Sequence, residues 1–200
     1  MSDIYYKKEI KFKLFGIELG FDVAESLFST FQIDLGSAIL LRNIPQNIKP
    51  KSVLDIGCGY GALGIYLARK FPESQVIGLD RDLLAVRYAN KNSEKNKTGN
   101  FRAIGSVGIE EVVDQKFDLI VSNIPAKIGD KAIEEEFILK PLSLLNEEGE
   151  YWIVIVSALN RLIPRIALKN KLHIQLIRKR NGHIVYKFVN RNLNMNPVRK

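Results

Sequence analysis

Apolar and lysine positions alternate over residues 10–14, and Ile17, Leu19 and Phe21 alternate again after Gly16. A period of two marks a half-buried strand, so this stretch predicts a short hairpin ahead of the main fold. Residues 38–43, after Asp34-Leu35-Gly36-Ser37, read as helix, and Pro45 and Pro50 with polar residues between them mark a loop. Ser52-Val53-Leu54-Asp55 is a short buried strand; residues 60–70 follow as helix, with Leu63, Tyr66 and Leu67 on one face and Pro72 beyond the end. Residues 75–79 form a second strand, ending at Asp80. Residues 82–95 have helical composition, with Leu83, Val86, Tyr88 and Ala89 apolar. Residues 100–104 and 117–122 are further strands. Helical material over 131–145, interrupted by Pro141, leads into a strand at 151–156.

Strands alternating with helices require right-handed crossovers, hence an α/β doubly wound, mostly parallel sheet with helices on both faces. The end of the chain differs. Residues 172–177 and 184–189 are two strands joined through Arg180-Asn181-Gly182, and Asn-Gly between alternating strands is a strong hairpin signal. An antiparallel C-terminal hairpin therefore closes a seven-stranded sheet. The expected organisation is a single domain over 1–200, with an N-terminal hairpin extension at 1–30 and a flexible basic tail at 190–200.

At 200 residues and 46% apolar content the chain can bury a substantial core without staples. Its longest apolar run, residues 151–159 with only Ser157 interrupting, falls well short of the roughly 20 residues of a membrane-spanning helix. A cytoplasmic protein without a membrane partner is expected. Cys58 is the single cysteine, and His173 and His183 lie far from it, so no zinc-ligand spacing exists and no metal is expected. The net charge of +8 suits an anionic partner or simply a solvated surface. Lys7, Lys8, Lys11 and Lys13 crowd one end of the chain and Arg178, Lys179, Arg180, Lys187, Arg191, Arg199 and Lys200 the other. The two basic ends could form one face.

The segment Asp55-Ile56-Gly57-Cys58-Gly59-Tyr60-Gly61 places three glycines at alternate positions between a strand and a helix, the geometry that lets a backbone approach a nucleotide-like cofactor. Asp80 stands about 20 residues on, where a carboxylate would accept ribose hydroxyls. A pyrophosphate would be repelled by Asp55 at the strand end, whereas the ammonium and sulfonium of S-adenosylmethionine (AdoMet) would be attracted. No Lys-Ser or Lys-Thr pair follows, as a phosphate-binding loop would require. Cys58 reads as a small filler rather than a nucleophile. A tight structural turn and an NAD site are the alternatives.

These residues, with Gly78-Leu79-Asp80 and the run from Phe117-Asp118 through Asn123-Ile124-Pro125, resemble the successive motifs of class I methyltransferases. Together with Phe28-Ser29 and Asp34-Leu35-Gly36-Ser37 they resemble the "small" methyltransferase domain of the ribosomal RNA small subunit methyltransferase C family, which methylates the exocyclic N2 of guanine. The resemblance covers residues 21–156. It implies AdoMet as cofactor, held by Asp55, Gly57, Cys58, Gly59, Gly61, Asp80, Arg81 and Ser106, and RNA, ribosomal in kind, as partner. It implies that Asn123 and Pro125 carry the chemistry: an Asn carbonyl and a neighbouring backbone carbonyl would accept the hydrogens of a poorly nucleophilic guanine amine and aim its lone pair at the methyl. The family's fourth strand ends in Asn-Pro-Pro and an apolar or aromatic residue; here Ile124 and Ala126 depart from that pattern. Since Ala126 cannot stack on a base, Phe28 or Phe31 is expected to do so, with Arg178, Lys179 and Arg180 on phosphates. A methyltransferase for a protein amide or a small molecule, and an RNA-binding module that keeps the fold without turnover, remain the alternatives.

Overall fold

The computed structural model describes residues 3–25, 27 and 33–189. It opens on the expected antiparallel hairpin, β1 (Tyr6–Leu14) and β2 (Ile17–Ala24). The hairpin turns at Phe15 and Gly16, both with positive φ (48° and 79°), a two-residue turn whose twist matches its strands. Alternation then runs through α1 (Leu35–Asn43), β3 (Ser52–Ile56), α2 (Ala62–Lys70), β4 (Gln75–Asp80), α3 (Leu83–Lys95), β5 (Phe101–Gly105) and β6 (Phe117–Asn123). A helical segment over 130–143 (α4) follows, then β7 (Leu145–Val156), α5 (Leu162–Lys169), β8 (Ile174–Arg180) and β9 (His183–Val189).

β3 to β9 make one seven-stranded sheet in the order β5-β4-β3-β6-β7-β9-β8. The first five are parallel, and β9 runs antiparallel to both β7 and β8. From β3 the chain winds outward to β4 and β5, then crosses back to β6. Strand order thus reverses between β3 and β6, and the crevice at the carboxyl ends of such strands is where a ligand fits.

Each face carries its own core. Val53, Val76, Leu119, Val121 and Val154 meet α1, α2, α3 and the N-terminal hairpin, whereas Leu54, Ile120, Ile153 and Phe188 meet α4 and α5. Two asparagines, Asn92 of α3 and Asn96 just past its end, tie the hairpin down. Asn92 Oδ1 accepts from Asp22 N (2.8 Å) while its Nδ2 donates to Asp22 O and Tyr60 O (3.0 Å each). Asn96 makes the same reciprocal pair with Gly20. The two amides stand in for a strand on the free edge of β2, satisfying backbone groups that would otherwise be buried unpaired.

α5 departs from the sequence expectation, which has no helix there. Pro164 stands in its first turn, where a missing N–H breaks no intrahelical bond, and Leu162, Ile163, Ile166 and Ala167 are buried. β7 begins six residues earlier than expected, at Leu145 paired with Phe117. β8 runs on to Arg180, so Arg178, Lys179 and Arg180 are strand residues, and the turn is Asn181-Gly182 with φ of 47° and 74°. In α4, Ile133–Leu139 winds as π-helix, and Tyr151 Oη donates to Phe137 O (2.6 Å). No helix of the described residues is long and apolar enough to cross a membrane.

Candidate active site

The glycine turn sits between β3 and α2, pinned to the end of β4: Gly57 N and Cys58 N both donate to Leu79 O (2.8 and 2.9 Å). Gly57, Gly59 and Gly61 have φ of 70°, 56° and 94°, the left-handed region that favours glycine. Among the described residues the space above Gly59 is open, and above Gly57 the near neighbour is the Phe137 ring, 3.6 Å from where a Cβ would stand. Gly61 faces Ile65 at 2.6 Å on the same measure, so it serves packing. Two of the three glycines therefore form the floor of an open cradle.

Asp80, half-buried at the end of β4, accepts from Gly59 N through Oδ2 (2.8 Å) and from Asp82 N through Oδ1 (2.9 Å). An ionised carboxylate has about four lone-pair sites, so this one is oriented by the turn and retains acceptor capacity for a diol. Arg81 beside it is exposed, as are Leu83 (73%) and Val107 (66%), apolar side chains just past the ends of β4 and β5. The sequence reading missed these two as candidates to cover a flat heterocycle; exposure of an apolar side chain at a strand end is invisible in the pattern.

Asp55 corrects an expectation. Its carboxylate does not face the cradle but is fully enclosed beneath it, with Oδ2 accepting from Gly64 N (2.8 Å) and Oδ1 unpaired among the described residues. The reason lies in α2, whose N-cap is Gly61 and offers no side chain. Asp55 supplies from the strand the acceptor that a capping side chain would give the third helical N–H. Burial raises its pKa to about 7; the Gly64 hydrogen bond opposes the shift and the Asp80 charge adds to it. Burial likewise pushes the Cys58 thiol well above its usual range. Its sulfur lies where a side chain on Gly78 would clash, in keeping with a filler.

Across the crevice, at the end of β6, Asn123 Nδ2 donates to Asp34 Oδ1 (2.6 Å) and to Ser37 Oγ (3.0 Å). Asp34 is also the N-cap of α1, accepting from Ser37 N (3.0 Å). A carboxylate only accepts, so the amide cannot be reversed and its Oδ1 is the atom left for a ligand. Ile124 is buried, and its N–H donates to Val154 O (3.0 Å), extending the β6–β7 ladder by a bond that proline could not make. Pro125 and Ala126 are exposed.

Residues 18–187 match the Methyltransferase small domain. The chain belongs to that family. It is 31% identical to the uncharacterized protein YbxB of Bacillus subtilis over 165 residues, 78% of this chain and 82% of that one. It is 35% identical to a ribosomal RNA small subunit methyltransferase C of Haemophilus influenzae over 139 residues, 66% of this chain and 40% of that one. Among solved structures, the T. thermophilus 16S rRNA N2 methyltransferase RsmC, in complex with AdoMet and guanosine, superposes with a TM-score of 0.80 at 27% identity, over 92% of this chain and 50% of that one. The ribosomal protein L11 methylase of Lactobacillus delbrueckii subsp. bulgaricus gives 0.64 at 25% identity, over 76% and 75%. The chain spans half or less of the length of these rRNA methyltransferases.

The class I fold and the AdoMet cofactor expected from the sequence are those of the Methyltransferase small domain family. The residues present fit that cofactor: an open glycine floor, an oriented carboxylate at the neighbouring strand end and exposed apolar side chains beside it. Ser106 follows β5, its N–H on Asp80 O and its hydroxyl directed to Gly108 O (3.3 Å), so it shapes its own loop. Phe28 and Phe31 lie outside the described residues. Arg178, Lys179 and Arg180 reach the same edge as Asn123, since Val154 pairs with Asn123, Val156 with His183, and His183 with Arg180. Missed entirely were Asp34 as the partner of Asn123 and His183, whose ring packs where Gly36 has no side chain. Asp followed three residues later by Ser is a readable capping pattern, but its link to Asn123 spans 89 residues.

Proposed function

We propose that this protein is a cytoplasmic enzyme that transfers the methyl group of AdoMet to the exocyclic N2 of a guanine in ribosomal RNA. The observation that carries the reading is the fixed amide of Asn123. With Nδ2 held by Asp34 and Ser37, its Oδ1 presents an acceptor at the end of β6, opposite the glycine cradle. A guanine amine has two hydrogens and a lone pair delocalised into the ring. An acceptor on one hydrogen turns the nitrogen and favours localising that pair, and positioning of this kind is worth more here than a strong base.

When bound, AdoMet supplies an electrophilic methyl on a sulfonium. Asp80 would hold its ribose hydroxyls, the turn from Gly57 to Gly59 would allow its close approach, and Leu83 and Val107 would cover its adenine. Asn123 orients the amine. Transfer would leave the electrons of the broken carbon–sulfur bond on a neutral thioether and the surplus proton of the amine with water, while Asn123 holds the amine in line. Support comes also from the names of the relatives, an rRNA small subunit methyltransferase and an N2 enzyme crystallised with guanosine. A methylated ribosomal protein is the competing substrate, since the likeness to an L11 methylase is real though lower. Labelled AdoMet incubated with ribosomal subunits from a deletion strain separates them. The label is expected in N2-methylguanosine after nucleoside mass analysis; label in a protein, or none anywhere, would overturn the assignment.

A further inference from the structure

Beside the hairpin tip, α1 and β8 flank an open cleft of about 200 Å³ lined by Ile39, Arg42, Asn43, Arg178 and Arg180, the three arginines being exposed. Residues two apart on a strand share a face, so Arg178 and Arg180 both turn toward α1. Lys179, between them, does not line the cleft. Arg42 comes from the last turn of α1, the helix whose first turn grips Asn123. Among the described residues none of the three arginines has an acidic partner. Three guanidinium groups beside one cleft make it favourable to an anion. Arginine is also the side chain whose planar fork matches phosphate oxygens two at a time.

We propose that Arg42, Arg178 and Arg180, with Asn43, form a binding site for a backbone phosphodiester of the nucleic-acid substrate. The site rests on the RNA reading above and deepens it. Eight residues of helix separate Asp34 from Arg42, roughly 12 Å of rise. A phosphate held there belongs to a nucleotide near the target in the strand, not to the target itself. The function of the site is to set which nucleotide meets Asn123: phosphate contacts fix register, while base contacts specify.

The test is salt-dependent binding of a fluorescent single-stranded RNA dodecamer by the full chain. Arg42→Gln with Arg180→Gln, and Arg178→Gln separately, should weaken binding several-fold. For every phosphate that is no longer neutralised, the slope of log affinity against log salt should flatten by about 0.7. Arg69→Gln, on the last turn of α2, removes one charge elsewhere and should leave the slope alone. AdoMet affinity and melting temperature should be unchanged in all of them, which separates weaker phosphate binding from a damaged fold. RNA binding by every variant with the parental slope would overturn the site while leaving the RNA reading intact. Absence of RNA binding by the unmodified protein would remove both. Equal binding of an aspartate-rich peptide of the same charge would make the cleft a protein-docking site, and saturation by millimolar inorganic phosphate without RNA competition would make it a free-anion site; either result overturns the proposal.

Discussion

On the proposed reading Asn123 faces the target and Asp80 the cofactor, so removing each should fail differently. Asn123 donates to Asp34 and Ser37, across the crevice from the glycine turn. Asn123→Ala should therefore lower turnover on the order of 100- to 1,000-fold, the usual cost of one transition-state interaction, with donor affinity nearly intact. Asp34→Ala should lower turnover in the same direction, because the freed amide can rotate, and should also cost about 1 kcal/mol through the missing cap. Single-turnover rates beside calorimetric AdoMet affinities check both; a matching loss of donor affinity in Asn123→Ala would place that residue in the cofactor shell instead. Asp80→Ala should do the opposite. It removes a charged acceptor, worth about 1.5–3 kcal/mol, so calorimetry should show AdoMet binding weakened on the order of 10- to 100-fold in a protein that still folds. Unchanged affinity would take Asp80 out of the ribose site.

The N-terminal hairpin is held by amide side chains where another sheet would use a strand. Asn92 is fully buried and makes three hydrogen bonds, two to Asp22 and one to Tyr60 in the loop leading into α2. Asn92→Ala strands three buried backbone groups at about 1–3 kcal/mol each before relaxation, so a net loss of roughly 2–4 kcal/mol is expected in urea unfolding. A loss below about 1 kcal/mol would mean that the apolar face of the hairpin and the ion pairs of Asp22 with Lys91 and Lys95 hold it without the amide. At this scale the sequence was legible wherever period and punctuation agreed. The glycine turn, the Asn181-Gly182 hairpin and the alternation of β3 to β6 with their helices all follow from patterns a few residues long. α5 did not, because Pro164 reads as a breaker until its place in the first turn is known. Nor did the full length of β7, since its first half carries Glu147, Glu148 and Gly149, a charged and flexible run that only pairing with β6 makes a strand.

Over the whole molecule, the carboxyl ends of the parallel strands, the start of α1 and the tip of the β8–β9 hairpin share one edge, and that convergence was only partly readable. Asp80 and Asn123 are found from motifs, whereas Arg42 joining Arg178 and Arg180, and Asp55 turning inward, depend on which face each element presents. The inward turn of Asp55 has a consequence for global stability. Its carboxyl is enclosed with one oxygen unpaired, and burial holds its pKa at about 7 against an ordinary 3.8. Below pH 4 both states bind the proton and the native state has its full advantage. Between pH 4 and 7 the unfolded chain has released the proton while the native state retains it, so stability falls as pH rises; above 7 the fall stops. A shift of this size corresponds to roughly 4 kcal/mol across the window. Asp22 and Asp118, whose pKa values are lowered despite burial by hydrogen bonds and nearby lysines or amides, act in the opposite sense, losing stability only as pH drops through the acid range. From pH 5 upward Asp55 should therefore dominate. Urea unfolding at pH 5, 6, 7 and 8 should show the unmodified protein losing stability relative to Asp55→Asn, which keeps an acceptor for Gly64 N and has no proton to release. The informative quantity is the slope of that difference, because the variant's absolute stability also contains the cost of burying a new amide NH2. Parallel curves over this range would mean that Asp55 ionises at its ordinary pKa, and that the first strand end carries a full negative charge under the cradle at every physiological pH.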